Sequence, residues 1–224
     1  MSGIVGSYFN TRGSGVVAKL GTDGQVFTST GAGLSQGFEA AAGGGAWNLI
    51  STFTSSGSDA TAEFTSGIDS TYKVYVFDFI NIHPETDNVA FMINFSTDGG
   101  SNFNVNKQTA CWSWYHSESG AGETGGWNRG VGEQETDWVD IDGELGNDND
   151  QSISGRIILY DPSDTTYNHH WIVNNVGCRY HEYVSLGGEG GYTNQDPKAA
   201  IDAVGFKFSD GDIQDGVIKM YGVT

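Results

Sequence analysis

The chain has 224 residues, with 10 Lys and Arg against 28 Asp and Glu and a formal net charge of -18. A surface of that sign repels phosphate backbones and anionic headgroups, which excludes nucleic-acid binding and membrane-surface attachment as the main task. The 34 glycines disfavour long helices, while six Trp, ten Tyr and twelve Phe supply large apolar surfaces for a core.

No apolar run approaches the roughly 18 residues that a membrane-spanning helix needs. Met1–Asn10 has neither the basic nor the apolar region of a signal peptide, so synthesis in a cytoplasm is expected. Cys111 and Cys178 then read as buried thiols rather than a disulfide.

Residues 1–45 are rich in Gly, Ser, Thr and Ala and end in Ala40-Ala41-Ala42-Gly43-Gly44-Gly45. Alone, such a stretch buries too little apolar surface to offset its ordering entropy. It reads as an extended arm that gains order by contact, either with its own domain or with a neighbour.

From Trp47 onward apolar and polar residues alternate, the two-residue period of half-buried strands. Tyr72–Ile80 and Val89–Ser96 are clear cases, with a turn predicted over Asn81–Asn88 around Pro84. Asp98-Gly99-Gly100-Ser101 predicts another turn. Residues 117–151 carry eight glycines and an acidic run from Glu133 to Asp150, and read as one or two long loops around a strand at Thr136–Ile141. Further strands are predicted at Ile153–Tyr160, Tyr167–Val176, Ala203–Ser209 and Gly216–Val223, with Asp210-Gly211 closing a hairpin between the last two. Pro197–Asp202 is the one helical candidate. Many short strands joined by turns imply a β-sandwich or barrel over residues 46–224.

Chemistry is sparse. Gly120-Ala121-Gly122-Glu123-Thr124-Gly125 has the dinucleotide-loop spelling, but no helix follows it. Cys178 and His181, with Cys111, His116 and His169, lack the paired short clusters of a structural zinc site. Nucleophile and metalloprotease signatures are absent, so no catalysis is expected. The acidic stretch is the better metal candidate. Asp140, Asp142, Glu144, Asp148 and Asp150 offer hard oxygen ligands for calcium, although EF-hand spacing fails, and the alternative is a hydrated acidic loop. Trp112 and Trp114 share one face of a strand, and Trp127 and Trp138 flank the acidic stretch. These four tryptophans either stack on sugar rings or fill a core or subunit interface.

Several segments together resemble structural proteins of marine tailed phages, especially those infecting cyanobacteria and related ocean bacteria. Leu20–Gly33 (LGTDGQVFTSTGAG) looks like a stock segment of phage tail-fibre and particle proteins. Phe79–Asp87 (FINIHPETD), Phe95–Ser101 (FSTDGGS), Phe206–Ile213 (FKFSDGDI) and Ile218–Gly222 (IKMYG) are similar to the same group. Asp210-Gly211-Asp212 departs from it, since relatives tend towards Ser-Gly-Asn. The resemblance implies a jelly-roll-like sandwich that oligomerises, often as a trimer, and it brings no catalytic residues.

The combined expectation is an all-β chain: a jelly-roll-like antiparallel β-sandwich over 46–224 with an extended N-terminal arm over 1–45. Its expected role is that of a non-enzymatic virion part, tail-fibre-like or capsid-decorating, synthesised in the host cytoplasm. It would bind itself as a homotrimer and other virion proteins through residues 1–45. The alternative is a receptor-binding module of a tail fibre that contacts a host surface glycan. A polysaccharide depolymerase ranks third.

Overall fold

The computed structural model describes residues 25–28, 37–40, 46–117, 123–126, 134–195 and 197–224, of which 25–28, 37–40, 123–126 and 134–135 are described by their backbone alone. The chain divides into two units, Met1–Ala46 and Trp47–Thr224. In the first, β1 (Gln25–Thr28) and β2 (Gly37–Ala40) pair antiparallel, with Gln25 opposite Ala40 and Phe27 opposite Phe38. Sequence reasoning placed no strands in this segment.

The second unit contains thirteen strands and, among the described residues, no helix. They are β3 (Trp47–Thr54), β4 (Ala62–Phe64), β5 (Val74–Pro84), β6 (Val89–Ser96), β7 (Lys107–Ser117), β8 (Glu123–Gly126), β9 (Gln134–Glu135), β10 (Val139–Leu145), β11 (Ile153–Tyr160), β12 (His170–Arg179), β13 (Tyr183–Thr193), β14 (Ala203–Phe208) and β15 (Ile213–Val223). All pairing is antiparallel.

The sheet folds over on itself. A wide layer runs β3-β15-β5-β11-β12-β13-β7, with β8 and β9 on the far edge of β7; a narrow layer runs β4-β14-β6-β10. The two join where Leu145 of β10 meets Arg179 of β12. The orders correspond: β3 and β4, β15 and β14, β5 and β6, β11 and β10 occupy matching places. Each such pair is consecutive in the chain and crosses from one layer to the other. This nested wrapping is a jelly-roll-like sandwich: the periodicity predicts a sandwich or barrel, and the resemblance implies the jelly roll.

Phenylalanines fill the space between the layers. Tyr75, Phe77 and Phe79 of β5 point inward, as alternation requires. Phe77 meets Phe64 at 5.4 Å and Phe206 at 5.8 Å between ring centroids, and Phe79 meets Phe91 at 5.5 Å. Such pairs contribute about 0.5–1.5 kcal/mol each beyond simple burial. Further along β5 the phase slips: Ile80 and Asn81 are both exposed, and Ile82 returns to the core. Asn81 has φ 49°, and the registers with β11 and β15 both shift here. A bulge absorbs the extra residue and keeps both halves of the strand packed.

Four expectations need correction. Pro84 ends β5, opposite Ile213, so the turn narrows to residues 85–88. Asp210-Gly211 does not close a hairpin, because β14 and β15 lie in different layers and do not pair; the turn is a corner between layers. The one helical candidate, at residues 197–202, is irregular chain. The 117–151 stretch holds more strand than predicted, with β8, β9 and β10 within it. The turn at Asp98–Ser101 is present, with Gly99 and Gly100 at φ 71° and 84°.

Candidate functional site

The wide layer turns one face to the core and the other outward, and the outward face of β7, β13, β12 and β11 is unusually apolar. On β7, Ala110, Trp112, Trp114 and His116 alternate outward. Register sets Leu186 of β13 beside Trp114, and Val176 of β12 beside Leu186. One row along, Val184 stands beside His116. On the other side Gly188 stands beside Trp112 and Asn174 beside Gly188. Ile172 and Tyr160 extend the patch onto the next strands. Among its large hydrophobic side chains Trp114 and Leu186 are the most exposed, at 56% and 52%.

Gly188 explains the lie of Trp112. A Cβ built on Gly188 would stand 2.6 Å from Cε2 of the indole, so the ring rests across the glycine backbone. Only glycine permits so close an approach. The result is a flat aromatic surface on the sheet.

Carboxylates are placed elsewhere. Between Gln108 and His116 of β7, and across the matching rows of β13, β12 and β11, no outward position is Asp or Glu. With strands about 4.8 Å apart and about 3.3 Å per residue, this face measures roughly 400 Å². Apolar patches of a few hundred Å² are often the functional ones on a protein surface. In its β11 row, Arg156 bonds Asp78 of β5 through Nε at 2.6 Å and Nη2 at 3.2 Å, which holds the guanidinium more basic than usual. The same guanidinium lies 4.6 Å from the Trp47 ring centroid, and Trp47 meets Tyr221 at 5.6 Å.

The sequence-predicted tryptophans do not form one site. Trp112 and Trp114 are on the outer face of the wide layer. Trp138 packs on Phe103 at 5.6 Å and under Lys207 Nζ at 4.9 Å, beside Gly205 of the narrow layer. Trp127 lies outside the described residues.

The acidic candidates are also divided. Asp142 is buried. Its Oδ2 accepts hydrogen bonds from Ser185 Oγ at 2.6 Å and Asn175 Nδ2 at 3.0 Å. Its Oδ1 faces Arg179 Nη2 at 3.3 Å, and the other arm of Arg179 reaches Glu144 Oε2 at 2.7 Å. The position between these two carboxylates is therefore filled by a guanidinium. Asp140 borders the same small cavity as Asp142. Asp148 sits in the turn after β10, where its backbone and Gln151 bond reciprocally. Asp150 lines a different, polar cavity of about 600 Å³ with His83 and Asp215. Among the described residues, no three His, Cys, Asp or Glu side chains are grouped closely enough to hold a metal ion.

Cys111 and Cys178 are both half-buried. Cys111 stands opposite Glu189, and Cys178 opposite Val184, on the two different faces of the wide layer. His169 is buried and its ring is used structurally. Nε2–H donates to the Asp164 carbonyl at 2.7 Å, and Nδ1 accepts from Thr193 Oγ1 at 3.0 Å. Desolvation holds its pKa below the usual histidine value.

Sequence reasoning missed Val184, Leu186 and Gly188, because it placed no strand between Val176 and Pro197, where Gly187, Gly188, Gly190 and Gly191 interrupt the alternation. The two-residue spacing of Val184 and Leu186 was the available signal. Comparison with protein-family models, curated proteins and solved structures gives no match for this chain.

Proposed function

We propose that the chain is a non-enzymatic structural part of a tailed-phage particle, tail-fibre-like or capsid-decorating. Its sandwich associates with further copies of itself, as a homotrimer, and its 1–45 leader joins it to capsid or tail proteins. The observation that carries the reading is the carboxylate-free apolar face of β7, β13, β12 and β11. A chain of net charge -18 repels its own copies over most of its surface. A face without acids is where copies approach at least electrostatic cost, and its Trp and Leu side chains are of the type that anchors interfaces. Light scattering on the full-length protein tests this. The wild type is expected to be oligomeric, and Trp114→Lys with Leu186→Lys is expected to give a folded monomer. A monomeric wild type at micromolar concentration removes the basis for the reading.

A second reading has its own observation. Trp112 lying flat on Gly188 beside Trp114 is a platform on which a sugar ring could stack, so the same face suits a host surface glycan. Binding to host cells that is lost in Trp112→Ala, with oligomeric state unchanged, would favour this reading over the first.

A further inference from the structure

Lys107, at the start of β7, and Asn94, in β6, are both completely buried. Lys107 Nζ lies 2.8 Å from Asn94 Oδ1, 3.2 Å from Val105 O and 2.7 Å from Asp137 O. A carbonyl bond of about 1.23 Å then puts Nζ within about 4 Å of Asn94 Cγ. The amide is itself fixed. Its Nδ2 donates to Phe103 O at 2.6 Å and Thr136 O at 3.0 Å, and its Oδ1 accepts from the Phe95 backbone N–H at 2.8 Å.

We propose that Lys107 and Asn94 condense into an intramolecular isopeptide bond. Nζ donates to Asn94 Oδ1 as well as to the carbonyls of Val105 and Asp137, so amine and amide are held in contact before reaction. Loss of the proton directed at Oδ1 gives the neutral amine and frees its lone pair against the amide it already touches. The Nζ–Cγ bond forms, and negative charge develops on Oδ1, where the Phe95 N–H already donates. The Cγ–Nδ2 bond breaks as one proton passes from Nζ to Nδ2, and ammonia leaves. Amine plus primary amide gives secondary amide plus ammonia, so no oxidant or other reactant is required. The product is also favoured by its surroundings. A buried ammonium is costly to hold out of water, whereas the amide that replaces it is neutral.

Mass spectrometry of the intact, full-length protein decides the matter. The expected mass is lower than that of the sequence by one ammonia, and digestion yields a branched peptide joining the segments around residues 94 and 107. Lys107→Arg and Asn94→Ala are each expected to restore the full sequence mass. A wild-type mass equal to the sequence mass overturns the proposal, whatever the variants do. So does a deficit that persists in Lys107→Arg, since it would then arise at another residue.

Discussion

Arg179 spans Asp142 and Glu144, with Nη2 3.3 Å from the first carboxylate and Nη1 2.7 Å from the second. Asp142 is almost fully enclosed, whereas Glu144 is half in solvent. The arginine therefore matters chiefly as the counter-charge of a buried acid. Replacing it with methionine keeps most of the volume and leaves Asp142 uncompensated. The expected loss is about 3–5 kcal/mol of folding free energy, the range for breaking one side of a buried pair. Urea titration of Arg179→Met measures it. Replacing Asp142 by Asn in the same background should recover part of the loss, because it removes the stranded charge.

Gly188→Ala tests the seat of Trp112. The added methyl group occupies space the indole now fills, so the ring must swing off the sheet. Because Trp112 is on the surface, the cost is expected to be about 1 kcal/mol, at the low end for overpacking. Tryptophan emission should shift to the red and quenching by iodide should rise. An unchanged spectrum would mean that the ring does not rest on the glycine.

Acid should weaken the fold in two stages. The pKa of His169 is lowered in the folded state by burial, so the unfolded chain binds the proton first. Its contribution is complete above the unfolded value of about 6.5 and is lost as pH falls from there towards the folded value. Asp98 is held low by hydrogen bonds from Asn102 and from Ser96, and Asp164 by the backbone N–H groups of Tyr167 and Thr166. Their contributions are present above about 3.9 and fade below it. Melting temperatures measured from pH 8 to pH 3 should fall in both windows. His169→Gln should remove the upper one and leave the lower.

Deleting residues 2–40 should leave the Trp47–Thr224 unit folded, since that unit has its own core. Circular dichroism and thermal melting check the fold. Co-purification with particles checks the leader's role, and the truncated protein is expected to be lost from them. Normal incorporation would show that the leader does not dock the protein.

Much of the architecture was legible where side chains are bulky and alternate. Val89–Ser96 and Ile153–Tyr160 were read with the bounds the structure gives them. Glycine is ambiguous as a signal in both directions. Gly187, Gly188, Gly190 and Gly191 look like turn residues but lie within β13, where Gly188 makes room for Trp112 and Gly187 for Asn175. Asp210-Gly211 does turn the chain, but local chemistry cannot say whether the next strand pairs with its predecessor or crosses the core. The acids show the same limit. Asp142 read as a calcium ligand or as part of a hydrated loop, because Asn175, Arg179 and Ser185, which enclose it, are 33, 37 and 43 residues away. Lys107 and Asn94 drew no notice for a similar reason: nothing local marks a lysine as buried.

The leader enters the sandwich at Trp47, the first residue of β3, and β3 is an edge strand held along its length by β15. Any tension transmitted along the leader therefore meets the β3–β15 ladder first, beginning at the rung between Trp47 and Val223. Drawn outward from that end, the ladder yields rung by rung rather than all together. The indole of Trp47, gripped between Arg156 and Tyr221, acts as a clasp on the rung that would open first.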